Sequence, residues 1–383
     1  MNSRSRVLDA LNHREPDRVP FDLGGTVVSG IHRTAYLALR QYLGLPLVEP
    51  KVVDIFQQIV QVNDDVMDQF GVDVRNVAPR SSGTHKIEIQ DMGDYTCFYD
   101  EFQIGWRMPK QGGFYYDMFS HPLAGNIRVE DIQAYKMPDP LNPARFIGIA
   151  DAARKAIEQE QRAVVVGSMS AGILEITAWT RGFADYFADL ASNESLTCAM
   201  LDRVLDQKLK YWGKMFELLG DQIDVAQEAD DFAGQDRMLI SPDTYRRIVK
   251  PRHKILFDFI HRNSHAKVFF HSCGAIRSVI PDLIEVGVDI INPVQVSAHG
   301  MDPLELKREY GKDLVFWGGG VDTQTVLHGG TPNEVRDEVK KRLDALMPEG
   351  GFVFAAVHNI QPNVPPQNIM AMWETLQEHG TYG

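Results

Sequence analysis

The second half of the chain alternates short apolar runs with longer amphipathic stretches, and this alternation limits the fold more than any other feature. Each apolar run is rich in β-branched and aromatic residues, ends in polar or glycine residues, and is followed by a helical pattern. The strand-like runs are DVAQEADD (224–231), KVFFHSCG (267–274), DIINPVQ (289–295), LVFWGGGV (314–321) and GFVFAAVHN (351–359). Strict alternation of strand and helix predicts a parallel sheet covered by helices.

Earlier segments extend the same pattern towards the N-terminus. Further buried strands are expected at 18–25, 72–79 and 163–169, which brings the strand–helix units to about eight and fits a (β/α)8 TIM barrel. An open, doubly wound sheet is the second alternative, although no G-x-G-x-x-G motif follows an early strand. Residues 54–70 are expected to form a helix ended by Gly71, and 84–120 a β-hairpin-rich insertion. Residues 1–383 are assigned to a single barrel domain.

Composition and charge exclude several classes of protein. A hydrophobic fraction of 44% and a charged fraction of 24% are typical of a soluble globular protein. The formal net charge of -13 argues against broad binding to nucleic acid or to anionic membranes. No apolar run is long enough to span a bilayer, and the first residues do not form a signal peptide. The three cysteines do not form a disulfide framework and suit a reducing cytoplasm.

Metal-binding residue types occur where the predicted strands end, and those ends form the active-site rim of a barrel. His271 and Cys273 lie two residues apart, so their side chains share a face of the strand. An imidazole and a thiol placed in this way form half of a zinc site. His358 ends another predicted strand and is a candidate third ligand. A lone histidine is more often a hydrogen-bonded core residue, and a free cysteine is usually a small buried hydrophobe. The H-x-C pair makes metal binding an equally good explanation.

Other polar and aromatic residues at the rim and in the insertion are candidates for catalysis and substrate binding. The catalytic candidates are the carboxylates Glu228, Asp230 and Asp231, of which the first two share a face. Helix capping or solvation is the alternative explanation for them, and His253 on the following helix is expected at the surface. Hairpin packing is the commoner explanation for tyrosines in an insertion. The substrate-binding candidates are Trp106, Tyr115, Tyr116, Asn292, Gln295 and Trp317.

Several segments resemble the uroporphyrinogen decarboxylase superfamily, over nearly the whole chain. The resemblance lies in RVLDALNHREPDRVPFDLGG, ADDFAGQDRMLISPDTYRRIVKPRHK, FFHSCG and VHNIQPNVPPQNIMAM. It implies a (β/α)8 barrel and one of two chemistries. The first is decarboxylation of uroporphyrinogen III without a cofactor. The second is zinc-dependent methyl transfer to or from a corrinoid that a partner protein carries.

The chain departs from the decarboxylases and is more similar to the methyltransferases. The decarboxylases carry an arginine-rich segment after the first strand, where this chain has FDLGGTVVSGIHR with its first arginine at Arg33. A tetrapyrrole with many carboxylates needs several arginines. The methyltransferases hold zinc with H-x-C and a second cysteine near the C-terminus. His271 and Cys273 match the first part, His358 stands at the position of the second cysteine, and Glu228 is favoured as a fourth ligand.

The histidine at position 358, where the methyltransferases have a cysteine, favours one type of reaction. One thiolate with two imidazoles leaves zinc a stronger Lewis acid than two thiolates do, which suits polarising an ether or alcohol oxygen. The sequence therefore predicts a cytoplasmic methyltransferase that moves a methyl group from a small donor, such as a methoxylated aromatic, to the Co(I) corrinoid of a partner protein. A homodimer is compatible with this prediction. The alternatives are a uroporphyrinogen decarboxylase-type lyase, a methylcorrinoid:thiol methyltransferase, and a non-catalytic zinc- or ligand-binding barrel.

Overall fold

A curled parallel sheet forms the centre of the computed structural model, which describes residues 1–383. Its strand order is β3-β8-β9-β10-β11-β12-β13, and a separate antiparallel sheet has the order β4-β5-β6-β7. The strands are β1 (Val52–Asp54), β2 (Ile59–Val60), β3 (Val74–Val77), β4 (Gln90–Met92), β5 (Tyr95–Tyr99), β6 (Gly105–Pro109), β7 (Asp117–Ser120), β8 (Ala163–Val166), β9 (Val225–Ala229), β10 (Lys267–His271), β11 (Ile290–Asn292), β12 (Val315–Trp317) and β13 (Phe352–Val353).

Helices follow most of the barrel strands, as the sequence pattern predicts. A π-helical turn, Tyr245–Val249, joins two of them. No helix combines the length and the apolar character that crossing a lipid bilayer requires. The helices are α1 (Ser3–Leu11), α2 (Arg33–Tyr42), α3 (Asp64–Phe70), α4 (Val129–Ala134), α5 (Ile149–Glu158), α6 (Ile173–Arg181), α7 (Phe183–Ser192), α8 (Glu194–Leu219), α9 (Pro242–Thr244), α10 (Lys250–Asn263), α11 (Ile280–Val286), α12 (Pro303–Tyr310), α13 (Val326–Gly329), α14 (Pro332–Leu346) and α15 (Pro366–His379).

Residues 18–22 occupy the eighth position of the barrel. Phe21 pairs in parallel with Phe354, just past β13, and the N–H of Asp22 donates to the Phe354 carbonyl at 2.9 Å. On the other side, the N–H of Asp73, just before β3, donates to the Phe21 carbonyl at 2.9 Å. Backbone hydrogen bonds therefore join the two edges of the seven-stranded sheet, and the predicted (β/α)8 barrel is confirmed.

The barrel and the insertion share one hydrophobic core. All four residues of β8 are buried, as expected for a parallel strand covered on both faces. A connected core of 95 buried residues extends from Val7 to Leu376 and includes Phe98 and Tyr116 of the insertion. The hairpins at 84–120 are confirmed as an antiparallel sheet, and this shared core packs the sheet onto the barrel.

The segment expected to be one helix from 54 to 70 is instead a hairpin followed by a short helix. Strands β1 and β2 pair antiparallel, and Oδ1 of Asp54 accepts the N–H groups of Phe56 and Gln57 between them. The helix prediction was wrong over this part because the Asp54 carboxylate gives the backbone a turn in place of helical hydrogen bonds. Only α3 is helical, and Gly71 ends it in the left-handed conformation (φ 63°) as predicted.

Buried ion pairs tie the N-terminus to the amino ends of the strands. Asp73 is fully buried and accepts hydrogen bonds from Nη1 of Arg6 at 2.7 Å and Nη1 of Arg18 at 2.8 Å. The same carboxylate accepts the N–H of Phe21 at 2.8 Å. One side chain therefore links α1, the closing segment 18–22 and the start of β3, on the barrel face opposite the rim.

Candidate metal centre

Two histidines and a cysteine meet at the carboxyl ends of the barrel strands. His271 ends β10, Cys273 follows it, and His358 lies a few residues beyond β13. One potential ligand atom from each lies within 4.8 Å of the other two. Sγ of Cys273 is 3.4 Å from Nε2 of His271, and the two histidine rings have centroids 5.2 Å apart. We call these three residues the His/Cys/His cluster.

A clamped loop places Cys273 in the cluster. Its N–H donates to Oδ1 of Asp231 at 2.7 Å, and the next N–H, of Gly274, donates to Oε1 of Gln295 at 2.6 Å. Gly274 has a φ of 92°, and a Cβ there would lie 2.5 Å from the Gly234 carbonyl oxygen. The sharp turn after β10 therefore needs a glycine, and two neighbouring strand ends hold it through hydrogen bonds.

An amide fixes the ring of His271. Nδ1 of His271 is 2.6 Å from Oδ1 of Asn292, whose Nδ2 donates to the Trp317 carbonyl at 2.8 Å. The carbonyl partner identifies the Asn292 nitrogen, so Oδ1 faces the ring and accepts its Nδ1–H. Nε2 is then left with a free lone pair towards Cys273, which is the arrangement of a histidine that binds a metal.

Burial controls the protonation of two residues of the cluster. Burial, with a smaller effect from the nearby His271, lowers the pKa of His358 to about 3, so its imidazole is neutral at physiological pH. Burial raises the pKa of the Cys273 thiol well above its ordinary value, with Asp231 and Glu175 adding to the shift. A thiolate here therefore needs a neighbouring positive charge. One sulfur and two imidazole nitrogens are a donor set that Zn²⁺ accepts in proteins.

Among the three predicted carboxylates, the structure places only Asp231 beside the cluster, with Oδ1 3.9 Å from Nε2 of His271. Glu228 shares a face with Asp230 as expected, but that face points to the surrounding helices. Oε2 of Glu228 accepts from Nζ of Lys208 at 2.6 Å, and Oε1 accepts from Nε1 of Trp212 at 2.7 Å. Because α8 engages both oxygens, the structure places the Glu228 carboxylate outside the His/Cys/His cluster, in which the sequence prediction had made it a fourth ligand.

Asp230 likewise has structural partners outside the cluster. It accepts the N–H groups of Leu174 and Glu175, each at 2.9 Å, and so caps the N-terminus of α6. Its Oδ2 is also 3.0 Å from Nε2 of His253, which is only 1% exposed. The expectation that His253 lies at the surface was wrong, because the imidazole satisfies this buried carboxylate. Asp230 therefore also lies outside the His/Cys/His cluster.

Glu175 lies near the cluster, and the sequence interpretation missed it. Its Oε2 accepts the N–H of Gly172 at 3.1 Å. Burial raises its pKa well above the ordinary value, and the charges of Asp231 and Asp230 raise it further. A single acidic residue in the apolar run ILEITAWTR reads as an ordinary helix residue, so the sequence carried no signal for this placement.

A cavity of about 560 Å³ opens beside the cluster. Cys273 and His358 form part of its wall, together with Tyr115 and Gln295 from the predicted substrate-binding set. The insertion contributes Tyr115 through the segment between β6 and β7, so this added sheet closes one side of the cavity. The cavity is the space in which a small substrate would reach the cluster.

The other predicted substrate-binding residues lie elsewhere. Trp106 donates from Nε1 to Oδ2 of Asp100 at 2.8 Å and packs against Phe56 and Trp179, and the Tyr116 hydroxyl pairs with that of Thr96. Trp317 is fully buried and donates to Asp22 at 2.8 Å within the barrel. Asn292 lies behind His271. None of these four residues lines this cavity, and their polar groups bond to the protein.

Comparison with known proteins gives a family and a fold. The family model for uroporphyrinogen decarboxylase (URO-D) matches residues 119–379. A methyltransferase from Methanosarcina mazei superposes with a TM-score of 0.67 and 18% sequence identity, covering 99% of each chain. A mandelate oxidase structure reaches a TM-score of only 0.28 at 10% identity, over 98% of this chain and 91% of that one. No curated protein sequence matches at a significant level. At this level of identity, the similarity to the methyltransferase is a similarity of fold.

Proposed function

The chain belongs to the uroporphyrinogen decarboxylase family, and from this premise we propose that it moves a methyl group from a small donor to the Co(I) corrinoid of a partner protein. A methoxylated aromatic is a donor of the expected kind. The observation that carries the proposal is the meeting of His271, Cys273 and His358 beside a cavity at the barrel rim. A thiol and two imidazoles within ligand distance of one another are donors suited to zinc, and the cavity beside them leaves room for a substrate.

The chain's own residues supply a prepared site for the metal. Zinc would be held by His271, Cys273 and His358, and when bound it would act as a Lewis acid on the oxygen of the donor. Asn292 orients His271, and Asp231 and Gln295 hold the loop of Cys273. These contacts fix the ligands before metal or substrate arrives, which lowers the cost of ordering them on binding.

Two alternatives from the same family receive less support. The cavity wall contains no arginine or lysine, and a substrate with many carboxylates needs several such partners. Decarboxylation of uroporphyrinogen is therefore the weaker candidate. A methylcorrinoid:thiol methyltransferase is also less favoured, because two imidazoles and one thiolate leave zinc more electrophilic than two thiolates would.

Methyl transfer can be followed directly with the purified, zinc-loaded protein. We expect a methoxylated aromatic to convert added Co(I) cobalamin to methylcobalamin, seen as a change in its absorption spectrum. Cys273→Ala should lose most of the bound zinc and roughly 100-fold or more of this activity, because a ligand is removed. Cys198→Ala, on α8 and outside the cluster, should retain both.

Two results would contradict the proposed function. One is undiminished methyl transfer by metal-free protein. The other is loss of carboxyl groups from uroporphyrinogen with no formation of methylcobalamin from any methyl ether, which would favour the lyase alternative. The same preparations serve for both measurements, so the outcome does not depend on separate batches of protein.

A further inference from the structure

A second cavity lies where the closing segment and β3 end, and we call it the outer cavity. Its volume is about 450 Å³, which is within the range of small-molecule sites in proteins. None of its lining residues lines the cavity beside the His/Cys/His cluster, so the two cavities are separate spaces. The wall of the outer cavity comes mainly from residues within 24–27, 51–53, 59–62, 75–80 and 147–152.

The wall of the outer cavity carries cations but no carboxylate, although the chain has a formal net charge of -13. The three cations are Lys51, Arg75 and Arg80. Arg75 is already paired, because it contacts Asp64 and Glu160 at 2.7 Å each. Lys51 and Arg80 are exposed, and neither side chain makes an ion pair or a hydrogen bond within the protein. Two positive charges are therefore available to an occupant.

Arg80 is anchored through its backbone while its guanidinium group is left free. Its N–H donates to the Arg145 carbonyl at 3.0 Å, and its own carbonyl accepts from Nη1 of Arg145 at 3.5 Å. Nη2 of Arg80 lies 3.4 Å from the position that a Cβ on Gly148 would occupy, so the guanidinium lies beside this lining residue. Because the main chain of Arg80 is already fixed, binding an anion would cost less ordering than it would at a mobile loop.

The remainder of the wall is largely apolar and partly open to solvent. Val60 and Val77 are buried, whereas Val53 and Ile147 are 44% and 57% exposed. Covering exposed aliphatic side chains removes hydrocarbon from water, so this wall favours an occupant with an apolar body. Asn76 adds a hydrogen-bond donor, because its amide makes no hydrogen bond within the protein and its Nδ2, unlike Oδ1, is accessible.

Charge and apolar surface together restrict the class of occupant. An organic cation would face two positive charges without a carboxylate to offset them. A small inorganic anion would leave the aliphatic part of the wall in water. A tetrapyrrole with many carboxylates would need more cations than the two that are free. An organic molecule with one anionic group and an apolar body uses both parts of the wall.

From these observations we infer that the outer cavity is a binding site for an organic anion. The anionic group pairs with Arg80 and Lys51, and the apolar body packs against the hairpin of β1 and β2 and the end of β3. The site uses no residue of the His/Cys/His cluster. It therefore gives the protein a second ligand, distinct from the methyl donor proposed above.

Three ligands with the same apolar body test this inference. They are 4-phenylbutyrate, 4-phenylbutan-1-ol and 4-phenylbutylammonium, each titrated calorimetrically into zinc-loaded protein. We expect the carboxylate to bind about tenfold more tightly than the alcohol, and the ammonium compound to bind most weakly, because only the carboxylate pairs with the two cations. Equal affinity for all three, or tighter binding of the alcohol or the ammonium compound, would overturn the inference.

Variants of the two cations distinguish binding in the outer cavity from binding to zinc. Arg80→Gln and Lys51→Gln should each weaken binding of 4-phenylbutyrate about threefold to tenfold, because each removes one partner of the carboxylate. Arg308→Gln on α12 and Lys341→Gln on α14 remove exposed cations that make no ion pair, and they should leave the affinity unchanged. A carboxylate bound to zinc would not respond to Arg80 or Lys51. Unchanged affinity in both of those variants therefore contradicts the inference.

A larger side chain on the wall tests the same site without changing a charge. Ala152 is exposed near the start of α5 and lines the outer cavity. Ala152→Trp should fill part of this space and weaken binding of 4-phenylbutyrate about fivefold or more. Ala191→Trp, at an exposed position on α7, should have no effect. Equal affinity in the two tryptophan variants would place the ligand elsewhere and overturn the inference. Methyl transfer is not measured in these titrations, so their outcome is independent of the proposed function.

Discussion

At the scale of single residues, the cluster depends on side chains that are not themselves ligands. Asn292 accepts the Nδ1–H of His271 and is held in turn by the Trp317 carbonyl. Such a partner fixes the tautomer and the orientation of a ligating imidazole. The sequence shows that Asn292 lies at a strand end. Its hydrogen-bond partner is known only from the register of β10 beside β11, which pairs His271 with Asn292.

Replacing Asn292 should weaken zinc binding without removing a ligand. For Asn292→Ala we expect the zinc dissociation constant to rise about 10–100-fold, because the His271 ring loses the partner that orients it. Competition with a chromophoric chelator measures this constant. Asn368→Ala removes another buried asparagine, which donates to the Leu327 and Gly330 carbonyls, and should lower stability while leaving zinc affinity unchanged. Equal zinc affinity in all three proteins would show that Asn292 does not orient the ligand.

The sequence identified the cluster residues but not which way the neighbouring carboxylates point. The spacing of His271 and Cys273 predicted a shared face, and their side chains do lie together. The same rule paired Glu228 with Asp230, yet it cannot tell the inner face of a barrel from the outer one. The direction in which the two carboxylates point depends on Lys208 and His253, which come from separate helices. Glu175 was missed for a related reason, because only the packing of α6 brings it near Asp231.

At the scale of elements, the barrel is closed by a short extended segment and secured by one buried carboxylate. Residues 18–22 join the edges of the sheet, and Asp73 binds Arg6 of α1 and Arg18 of that segment. The strand prediction for 18–25 holds only in part, because residues 18–22 are extended and pair with both edges, whereas 23–25 form a bend. The false helix over 54–63 shows the limit, since a local side-chain hydrogen bond outweighed a helical pattern.

Removing the Asp73 carboxylate should destabilise the fold strongly. We expect Asp73→Ala to lower the free energy of unfolding by about 3–5 kcal/mol, because two guanidinium groups lose a buried partner. Chemical denaturation followed by circular dichroism measures the change. Asp206→Ala removes an exposed partner of Lys210 on α8 and should cost less than about 1 kcal/mol. Similar losses in the two variants would mean that Asp73 does not hold the closing segment in place.

At the scale of the whole molecule, one end of the barrel carries stabilising contacts and the other carries the candidate site. The amino ends of the strands carry ion pairs that join the N-terminus to the sheet, whereas the carboxyl ends carry the His/Cys/His cluster and the cavity. This division is common in (β/α)8 barrels, where loops at the carboxyl ends can vary without disturbing the core. The insertion is divided in the same way. Its sheet packs on the shared core, and the turn after β6 contributes to the cavity wall.

X-ray absorption at the zinc edge tests most directly whether His271, Cys273 and His358 together hold zinc. For the wild type we expect about one zinc per chain with a single sulfur at about 2.3 Å and nitrogen or oxygen atoms at about 2.0–2.1 Å. Cys273→Ala should remove the sulfur contribution, and His358→Ala should keep it while lowering zinc content. A zinc shell without sulfur in the wild type, or a sulfur contribution that survives Cys273→Ala, would contradict the account.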